Sequence, residues 1–362
     1  MSSRVLIQAP MAGVQGWELA SAVHNAGGLG SIPCAMLSKE QVLKEVFEFK
    51  KATMQENSAR IEVNLNFFCH QSPSTNLELE QKFQNKLKKY YDDLNVKDIK
   101  KPPPRQPFGE EQMQILDIVR PTNVSFHFGL PSDSFLEKIK NDWKITVLSS
   151  ATTVEEALFL EQKGCDEIIA QGFEAGGHRG MFLDPVDKLN VASQVGLFAL
   201  LPQIVDLVKI PVIAAGGICD AKTAHAARVL GATKIQVGSR FLVTPEVQKR
   251  IHPLYLSSLL DEKKNRKTVL TNVFTGRPAR AIINRLVQEI GPICDDTPGF
   301  PTTSDYTFSL RSKGESLGNS DFSNFWAGQN VSKLSRKQQV EDIVEEISNG
   351  WANNQYPSRS YL

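Results

Sequence analysis

The residues of this chain best suited to chemistry lie in the loop QGFEAGGHRG, which runs from Gln171 to Gly180 and follows the apolar run Ile168-Ile169-Ala170. His178 is the only imidazole in this loop, and an imidazole can gain or lose a proton near neutral pH. Gly176 and Gly177 permit backbone conformations that other residues avoid, and they let the main chain approach a flat ligand closely. Alone, the string is equally typical of a glycine-rich turn with a solvent-facing histidine. The position of this loop in the fold is needed to distinguish a functional site from an ordinary turn.

Two further glycine loops follow apolar runs later in the chain. Gly216 and Gly217 come after VIAA, and Gly238 and Ser239 come after Gln236-Val237. Glycines expose backbone N–H groups, and a following helix adds positive potential at its N-terminus, so the pair of loops predicts a phosphate site. A tight strand-to-helix turn capped by Asp220 is the alternative. The sequence leaves open whether Arg240 faces the phosphate or a distant carboxylate.

A third set of candidates follows the earlier strands and differs in character from the glycine loops. Met11 and Ala12 offer an apolar surface, whereas Asn64 and Gln171 offer amide donors and acceptors. This mixture suits a flavin ring, whose faces are apolar and whose edges alternate donors with acceptors. Other planar phosphorylated ligands would also fit. Each residue has an ordinary alternative, because asparagine often forms turns and a lone methionine usually lies in a core.

Eight runs along the chain are predicted strands: Val5–Met11, Gly30–Pro33, Ile61–Phe67, Asn123–Gly129, Ile145–Ser149, Glu167–Gln171, Pro211–Ala215 and Lys234–Val237. The segments between them carry apolar residues at helical spacing, as in Trp17–Ala26, Lys39–Ala52, Val154–Lys163, Ala192–Val208 and Ala221–Leu230. Ser38 before Gln41 is a helix start signal, as is Thr152 or Thr153 before Glu155 and Glu156. Eight alternating units favour a closed (β/α)8 TIM barrel over an open sheet, and a barrel gathers ligands at the carboxyl ends of its strands.

The predicted domains are a barrel over residues 1–244 and a helical region over 245–362 that packs over it. A charged insertion at about residues 70–109, closed by Pro102-Pro103-Pro104, interrupts the barrel after its third strand. It is either a lid over the barrel mouth or a solvated peripheral helix with a stiff linker. After the barrel, helices are predicted in TGRPARAIINRLVQEI and RKQQVEDIVEEISNGW.

Composition narrows the class of partner. Lys and Arg total 41 against 40 Asp and Glu in 362 residues, and a net charge of +1 offers no broad field for nucleic acid or anionic lipid, so a small-molecule partner is predicted. The 5 cysteines form no CxxC pair and are expected to be reduced thiols, and no metal site is predicted. No apolar run reaches about 18 residues, so we expect no membrane span and a cytoplasmic location. The sequence does not indicate an oligomeric state.

Seven motifs then give the chain a resemblance to a known family: IQAPMAG at 7–13, AGGLGSI at 26–32, VNLN at 63–66, AQGFEAGGHRG at 170–180, IPVIAAGGICD at 210–220, QVGSRFL at 236–242 and FWAGQ at 325–329. In this order they resemble the FMN-dependent nitronate monooxygenases. The resemblance implies FMN and the oxidation of alkyl nitronates, such as propionate 3-nitronate, by dioxygen to a carbonyl compound and nitrite. It implies His178 as the catalytic residue and FMN contacts at Asn64, Gln171, Gly176, Gly217, Gln236, Val237, Gly238 and Ser239. The family more often has threonine at the position of Ser239.

Flavin-dependent enoyl-acyl-carrier-protein reductases and quinone reductases share a similar barrel and AGGH loop, so an NAD(P)H-dependent flavin reductase is the alternative function. A barrel that binds a phosphorylated ligand without turnover is a third. His178 has two possible roles: as a neutral base it would take the α-proton of a nitroalkane, and as a cation it would hold a nitronate.

Roles for neighbouring residues also follow from position. His127 lies in the fourth strand and is a candidate second polar residue of the pocket, whereas structural roles are expected for the remaining histidines, His24, His70, His225 and His252. Glu174 is expected to orient His178, to cap a turn or to pair with Arg179. Phe325 and Trp326 are candidates for an apolar wall over the substrate.

Overall fold

A computed structural model describes residues 4–73, 75–185, 187–261, 263, 267–334 and 338–352. Its strands, in chain order, are β1 Leu6–Gln8, β2 Ser31–Pro33, β3 Ile61–Phe68, β4 Pro121–His127, β5 Thr146–Ala151, β6 Glu167–Gln171, β7 Gly177–His178, β8 Val212–Ala215, β9 Lys234–Val237, β10 Thr268–Thr271 and β11 Ala279–Ile282. Eight of them, all except β7, β10 and β11, form one parallel sheet in the order β1-β9-β8-β6-β5-β4-β3-β2.

The sheet closes on itself through Leu29, which lies between β2 and β1. The Gln8 N–H donates to the Leu29 carbonyl at 2.9 Å, and the Leu29 N–H donates to the Leu6 carbonyl at 2.8 Å. A side chain at Gly30 would overlap the backbone of Ala20, so the first helix can pack this close to the closing bridge only because residue 30 is glycine. The predicted (β/α)8 barrel is confirmed, and each of the eight predicted strands overlaps a strand of the sheet.

The α-helices, in chain order, are α1 Trp17–Asn25, α2 Lys39–Ala52, α3 Leu77–Asp93, α4 Glu110–Val119, α5 Asp133–Glu137, α6 Val154–Gln162, α7 Lys188–Ala192, α8 Leu197–Leu207, α9 Ala221–Val229, α10 Pro245–Gln248, α11 Pro253–Leu260, α12 Arg285–Ile290, α13 Thr303–Ser316 and α14 Val340–Ala352. Ser38 forms the predicted capping box with Gln41. Thr153, not Thr152, caps α6. Among the described residues no helix combines the length and apolar character needed to cross a bilayer.

One predicted helix starts later than expected. The sequence predicts a helix over Ala192–Val208, but α7 ends at Ala192 and α8 begins only at Leu197. The Glu174 carboxylate accepts a hydrogen bond from the Leu197 N–H at 2.9 Å, which satisfies a donor of the first turn of α8. The start of this helix is therefore set by a residue of the glycine loop, a contact that helical periodicity cannot reveal.

The insertion after β3 contributes to a second apolar core. One face of α3 buries Phe83, Leu87 and Tyr90 against residues from the region after the barrel, including Leu310 and Phe322. This helix is not a solvated peripheral element. Instead, it joins α12 and α13 in a layer that is separate from the main core between the barrel strands and their helices.

The region after the barrel contains strands as well as the predicted helices. β10 pairs with β11, and β11 pairs in turn with β7, so that Ala279 lies opposite His178. The helix predicted in TGRPARAIINRLVQEI is therefore wrong over Ala279–Ile282, because those residues bond to β10 and β7 instead of to each other. Only α12 of that segment is helical.

The helix predicted in RKQQVEDIVEEISNGW is confirmed as α14 for the described residues, while residues 336 and 337 lie outside them. α14 does not stay with the other elements after the barrel. It packs on α9 and α1, and it buries Val340, Ile343 and Ile347 there. This helix thus belongs to the outer layer of the barrel, and the domain boundary near residue 244 stays a prediction.

The five cysteines are free thiols. Cys34, Cys165, Cys219 and Cys294 are buried, and Cys69 is half-buried. Burial raises the pKa of Cys219, which lies near the barrel mouth, to about 11. The thiols therefore stay protonated at neutral pH, as expected for reduced cysteines without a redox partner.

Candidate active site

A cavity opens at the carboxyl ends of the barrel strands and collects most of the residues predicted from the sequence. The predicted residues on its wall are Met11, Ala12, Gln171, Gly176, Gly177, His178, Gly216, Gly217, Gln236, Gly238 and Ser239. Segments from the first, sixth, seventh and eighth barrel strands thus meet around one space, as the barrel topology requires.

Two predicted residues are not on the wall. Asn64 is fully buried beneath it, where its amide donates to Ser31 Oγ at 2.9 Å and to Ser125 Oγ at 3.0 Å. Val237 is buried in the core that includes the helical layer. Asn66, two residues after Asn64 in β3, lines the cavity instead. Alternate residues of a strand share a face, so both asparagines point to the barrel interior, but Asn66 is closer to the carboxyl end of β3 and therefore to the mouth.

Two buried arginines hold the loop that carries His178. The Arg179 guanidinium donates to the carbonyl oxygens of Gln171 at 2.8 Å and Gly172 at 2.6 Å. The Arg280 guanidinium donates to the Phe173 carbonyl oxygen at 2.9 Å and also lies 4.6 Å from the centre of the Phe173 ring. Both side chains bond to backbone oxygens of the loop, and this leaves the loop few alternative conformations. Glu174 bonds Leu197, as described above, so the structure assigns it the capping role.

The backbone of His178 is fixed from two sides. Its carbonyl oxygen accepts hydrogen bonds from Gln171 Nε2 at 3.0 Å and from His127 Nε2 at 3.1 Å. Because a carbonyl oxygen only accepts, His127 carries its proton on Nε2, and its Nδ1 accepts from Ser150 Oγ at 3.0 Å. His127 and Ser150 both lie on the cavity wall. The structure therefore places His127 in the pocket, beneath the loop that carries His178.

The imidazole of His178 is enclosed by aromatic rings. Its centre lies 5.4 Å from the centres of both Phe300 and Trp326 and 5.9 Å from that of Phe128. Trp326 lines the cavity as expected, whereas Phe325 stacks on Tyr255 with ring centres 4.5 Å apart and does not line it. His178 Nε2 lies 3.0 Å from Thr275 Oγ1, a contact that the sequence did not suggest.

Burial keeps His178, His127 and His70 neutral. Burial lowers the pKa of His178 well below its ordinary value of 6.5, and the positive charges of Arg105 and Arg277 lower it further. Burial also lowers the pKa of His127 to about 4 and that of His70 to about 4. His70 does not line the cavity but packs on Phe300, with ring centres 4.8 Å apart. At neutral pH the imidazole of His178 is therefore an uncharged acceptor and donor.

Arg105 brings positive charge to the cavity from the insertion. Its side chain lines the wall, donates to Ser304 Oγ at 2.8 Å and lies 5.6 Å from the centre of the Phe300 ring. Burial lowers the pKa of Arg105 to about 10, so the side chain stays charged at neutral pH. The nearby Asp305 pairs with Lys101 at 2.9 Å, and the described part of the chain gives Arg105 no ion pair. An anion beside His178 would meet the positive charge of Arg105, which has no ion pair among the described residues.

Another part of the cavity wall is shaped by glycines. Gly216 and Gly217 have φ angles of +107° and +71°, which glycine adopts without strain. A side chain at Gly176 would lie 2.6 Å from the Gly328 nitrogen, so only glycine fits there. Ser239 Oγ accepts from the Gly328 N–H at 3.0 Å and keeps its own proton free to donate.

Two polar groups of residues on the cavity wall lack partners among the described residues. They are Gln236 Oε1 and Arg240 Nε, both buried. The Arg240 guanidinium also reaches Glu346 on α14 at 3.1 Å, so this residue both lines the cavity and faces a carboxylate. A free hydroxyl, exposed loop backbone and a buried cationic N–H are the donors that phosphate requires.

The chain matches the family model described as Nitronate monooxygenase over residues 2–350. It belongs to the nitronate monooxygenase family. Probable nitronate monooxygenases of Staphylococcus saprophyticus and Bacillus subtilis are each 34% identical to it. The first alignment covers 95% of this chain and 94% of the relative, and the second covers 95% of both. The chain is thus an oxidoreductase of this family.

Solved structures agree with this assignment. A nitroalkane oxidase from Streptomyces ansochromogenes is 30% identical, with a TM-score of 0.85 over 97% of this chain and 96% of that one. FabK from Thermotoga maritima is 23% identical, with a TM-score of 0.68 over 96% and 93% of the two chains. At this lower identity the second likeness shows a shared fold alone.

Proposed function

We propose that this protein binds FMN and oxidises alkyl nitronates, such as propionate 3-nitronate, with dioxygen to a carbonyl compound and nitrite. The observation that carries the proposal is the shared cavity: its wall contains a neutral His178, an Arg105 with no ion pair among the described residues, and a glycine cradle suited to phosphate. Family membership supplies the reaction class, and the cavity supports the choice of cofactor and substrate.

The residues present fit FMN. The Ser239 hydroxyl and the backbone of Gly217 and Gly238 would hold its phosphate. The buried Gln236 Oε1, which has no partner among the described residues, would accept from an edge of the ring system. Met11 and Ala12 supply the apolar surface for a ring face. FMN bound there would supply the electron acceptance that nitronate oxidation needs, and dioxygen is the second substrate.

The part of the cavity around His178 fits a nitronate. A nitronate carries a negative charge shared by two oxygens, and the cationic Arg105 lowers the electrostatic cost of bringing such an anion into a buried site. Phe68 and Trp326 provide apolar wall for the alkyl part. His178 faces the same space and is the residue that we place against the substrate.

A direct assay tests the proposed reaction. The purified flavin-loaded protein, given propionate 3-nitronate in air, should release nitrite with no nicotinamide present. Nitrite release should stop when dioxygen is removed. Rapid NADH oxidation without nitrite would overturn the proposal and favour the enoyl-acyl-carrier-protein or quinone reductase alternative.

The proposed contact between Ser239 and the phosphate of FMN can be tested separately. Ser239→Ala removes the free hydroxyl donor, and the Kd for FMN should rise about tenfold, the equivalent of one lost hydrogen bond to a charged group. Ser239→Thr keeps the hydroxyl and should retain the affinity of the natural protein. Fluorescence quenching of FMN during titration of the flavin-free protein measures both. Equal affinities in the alanine and threonine variants would remove Ser239 from the cofactor site.

A further inference from the structure

Thr275 makes two contacts that together determine where the proton of His178 resides. Its hydroxyl oxygen lies 3.0 Å from His178 Nε2 and 3.3 Å from the Arg277 carbonyl oxygen. A carbonyl oxygen only accepts, and a hydroxyl has one proton to give. Both contacts are satisfied together only when Thr275 donates to Arg277 and accepts from a proton on His178 Nε2.

The turn that carries Thr275 is fixed by the fold. Gly276 has a φ of +86°, and a side chain there would overlap the Pro298 carbonyl oxygen. The Arg179 N–H donates to the Pro278 carbonyl oxygen at 2.8 Å, which ties the turn to the loop of His178. Thr275 is also buried, at 1% exposure. The hydroxyl is therefore held beside the imidazole, with little freedom to choose another partner.

The other ring nitrogen is left available. His178 Nδ1 has no hydrogen-bond partner among the described residues, and the side chain lines the cavity. At neutral pH the charged groups that act on the ring are the guanidinium groups of Arg105 and Arg277, and His127 and His70 add positive charge only when they too are protonated at low pH. Each of these charges disfavours the imidazolium. The resting state thus presents an unprotonated nitrogen to the cavity.

We propose that Thr275 is a positioning residue that fixes the Nε2–H tautomer of His178 and so leaves Nδ1 as the nitrogen that can take a proton from a nitroalkane. This inference rests on the proposed function and on the role of base that the sequence offers for His178; what it adds is the part played by Thr275. A nitronate has already lost its α-proton, so it needs no base. A nitroalkane needs one, because its α-carbon must lose a proton before oxidation.

The step balances in atoms and charge. The α-C–H bond breaks, its proton moves to His178 Nδ1, and its electron pair passes into the nitro group, which gives the nitronate. The imidazolium that forms still donates from Nε2 to Thr275, so the hydrogen bond survives the transfer. The new cation and the new anion lie side by side, which stabilises both. The proton then leaves to solvent, and the nitronate enters the proposed oxidation.

A pair of substrates separates the base from the rest of the site. Neutral nitroethane requires proton removal, whereas ethyl nitronate, prepared by prior ionisation, does not. Thr275→Val has the same shape but no hydroxyl. We expect kcat/KM for nitroethane to fall about 10- to 100-fold, within the range for general base catalysis, while kcat/KM for ethyl nitronate changes less than about threefold. Thr275→Ser should restore most of the nitroethane activity.

Two readouts report on the base without relying on turnover alone. In 15N-histidine-labelled protein, the His178 resonances, assigned by their loss in His178→Asn, should show protonated Nε2 and unprotonated Nδ1, and Thr275→Val should show a mixture of tautomers. With α-deuterated nitroethane, the isotope effect on kcat/KM should increase in Thr275→Val, because proton transfer becomes slower. Flavin absorbance and Tm confirm that each variant is folded.

The outcomes separate the inference from the proposed function. If the natural protein releases nitrite from ethyl nitronate but not from nitroethane, the inference fails and the proposed function stands. If neither compound gives nitrite, the proposed function fails. Equal losses on both substrates in Thr275→Val, or a protonated Nδ1 in the natural protein, would also overturn the role given to Thr275.

Discussion

Among the residues around His178, three arginines perform two different tasks. Arg179 and Arg280 donate to backbone oxygens of the loop and so fix its shape. Arg105 contacts a hydroxyl and a ring but acts on the imidazole through its charge. Fixing a loop and setting a pKa are separable functions, so a charge-removing change at Arg105 should alter protonation while leaving the loop in place.

The pH dependence of nitroethane oxidation tests this electrostatic role. The pKa of His178 lies below 6.5, so the neutral base persists as pH falls through 6.5 and is lost only at lower pH. The acid limb of kcat/KM should therefore lie below pH 6.5. Arg105→Met removes a cation, the pKa of His178 should rise, and the limb should move to higher pH. Arg105→Lys keeps the charge and should leave it in place. An acid limb above pH 6.5 in the natural protein would contradict this account.

Sequence reasoning located the parts of the site that local patterns encode and missed those that depend on distant contacts. Glycine loops after apolar runs are visible as strings, so Gly176, Gly217 and His178 could be predicted. Thr275 is 97 residues from His178 in the chain, and no local pattern connects them. Arg105 follows a run of prolines whose path over the barrel mouth is set by packing against α13.

At the scale of elements, the hairpin of β10 and β11 shows where periodicity misleads. ARAI lies in a stretch whose apolar spacing also suits a helix, yet β11 finds partners in β10 and in β7. Tertiary pairing overrides the local preference of such short segments. The pairing with β7 shapes the candidate site, because it places Ala279 opposite His178 and brings the Thr275 turn beside the imidazole.

The apolar core shared by α3 and the region after the barrel supports this hairpin. Phe83→Ala would remove a fully buried ring from α3, and the free energy of unfolding should fall by about 3–5 kcal/mol. Leu77→Ala on the same helix changes a side chain that is 74% exposed and should cost less than about 0.5 kcal/mol. Urea unfolding followed by circular dichroism measures both. Similar losses in the two variants would show that α3 is not anchored by this core.

At the scale of the whole molecule, the barrel is completed by a helix that is distant in sequence. β9 ends at Val237, yet the helix that packs on α9 and α1 is α14, which begins at Val340. In sequence, the insertion and the hairpin region therefore lie between helices that pack together in the outer layer of the barrel.

The packing of α14 on α9 can be tested at Gly350, where the two helices come close together. Gly350 is buried, and a side chain there would overlap the backbone of Ala221 at the start of α9. Gly350→Ala should lower the free energy of unfolding by about 1–3 kcal/mol, even though alanine favours helices. Asn349→Ala changes an exposed neighbour and should be neutral or slightly stabilising. A stabilised Gly350→Ala protein, measured by thermal unfolding, would show that α14 does not pack this closely.

Because α14 is late in the chain but packs on the barrel, the barrel strands are synthesised before the helix that covers α9 and α1. A ribosome releases the chain from its N-terminus, so every barrel strand has emerged before the helix that covers α9 and α1 is made. Until then, the apolar surface that Val340, Ile343 and Ile347 later cover stays open to water and to chaperones. Arg240 likewise lacks its contact with Glu346 until α14 has been synthesised. The part of the cavity wall that contains Arg240 therefore has its full set of contacts only after α14 has left the ribosome.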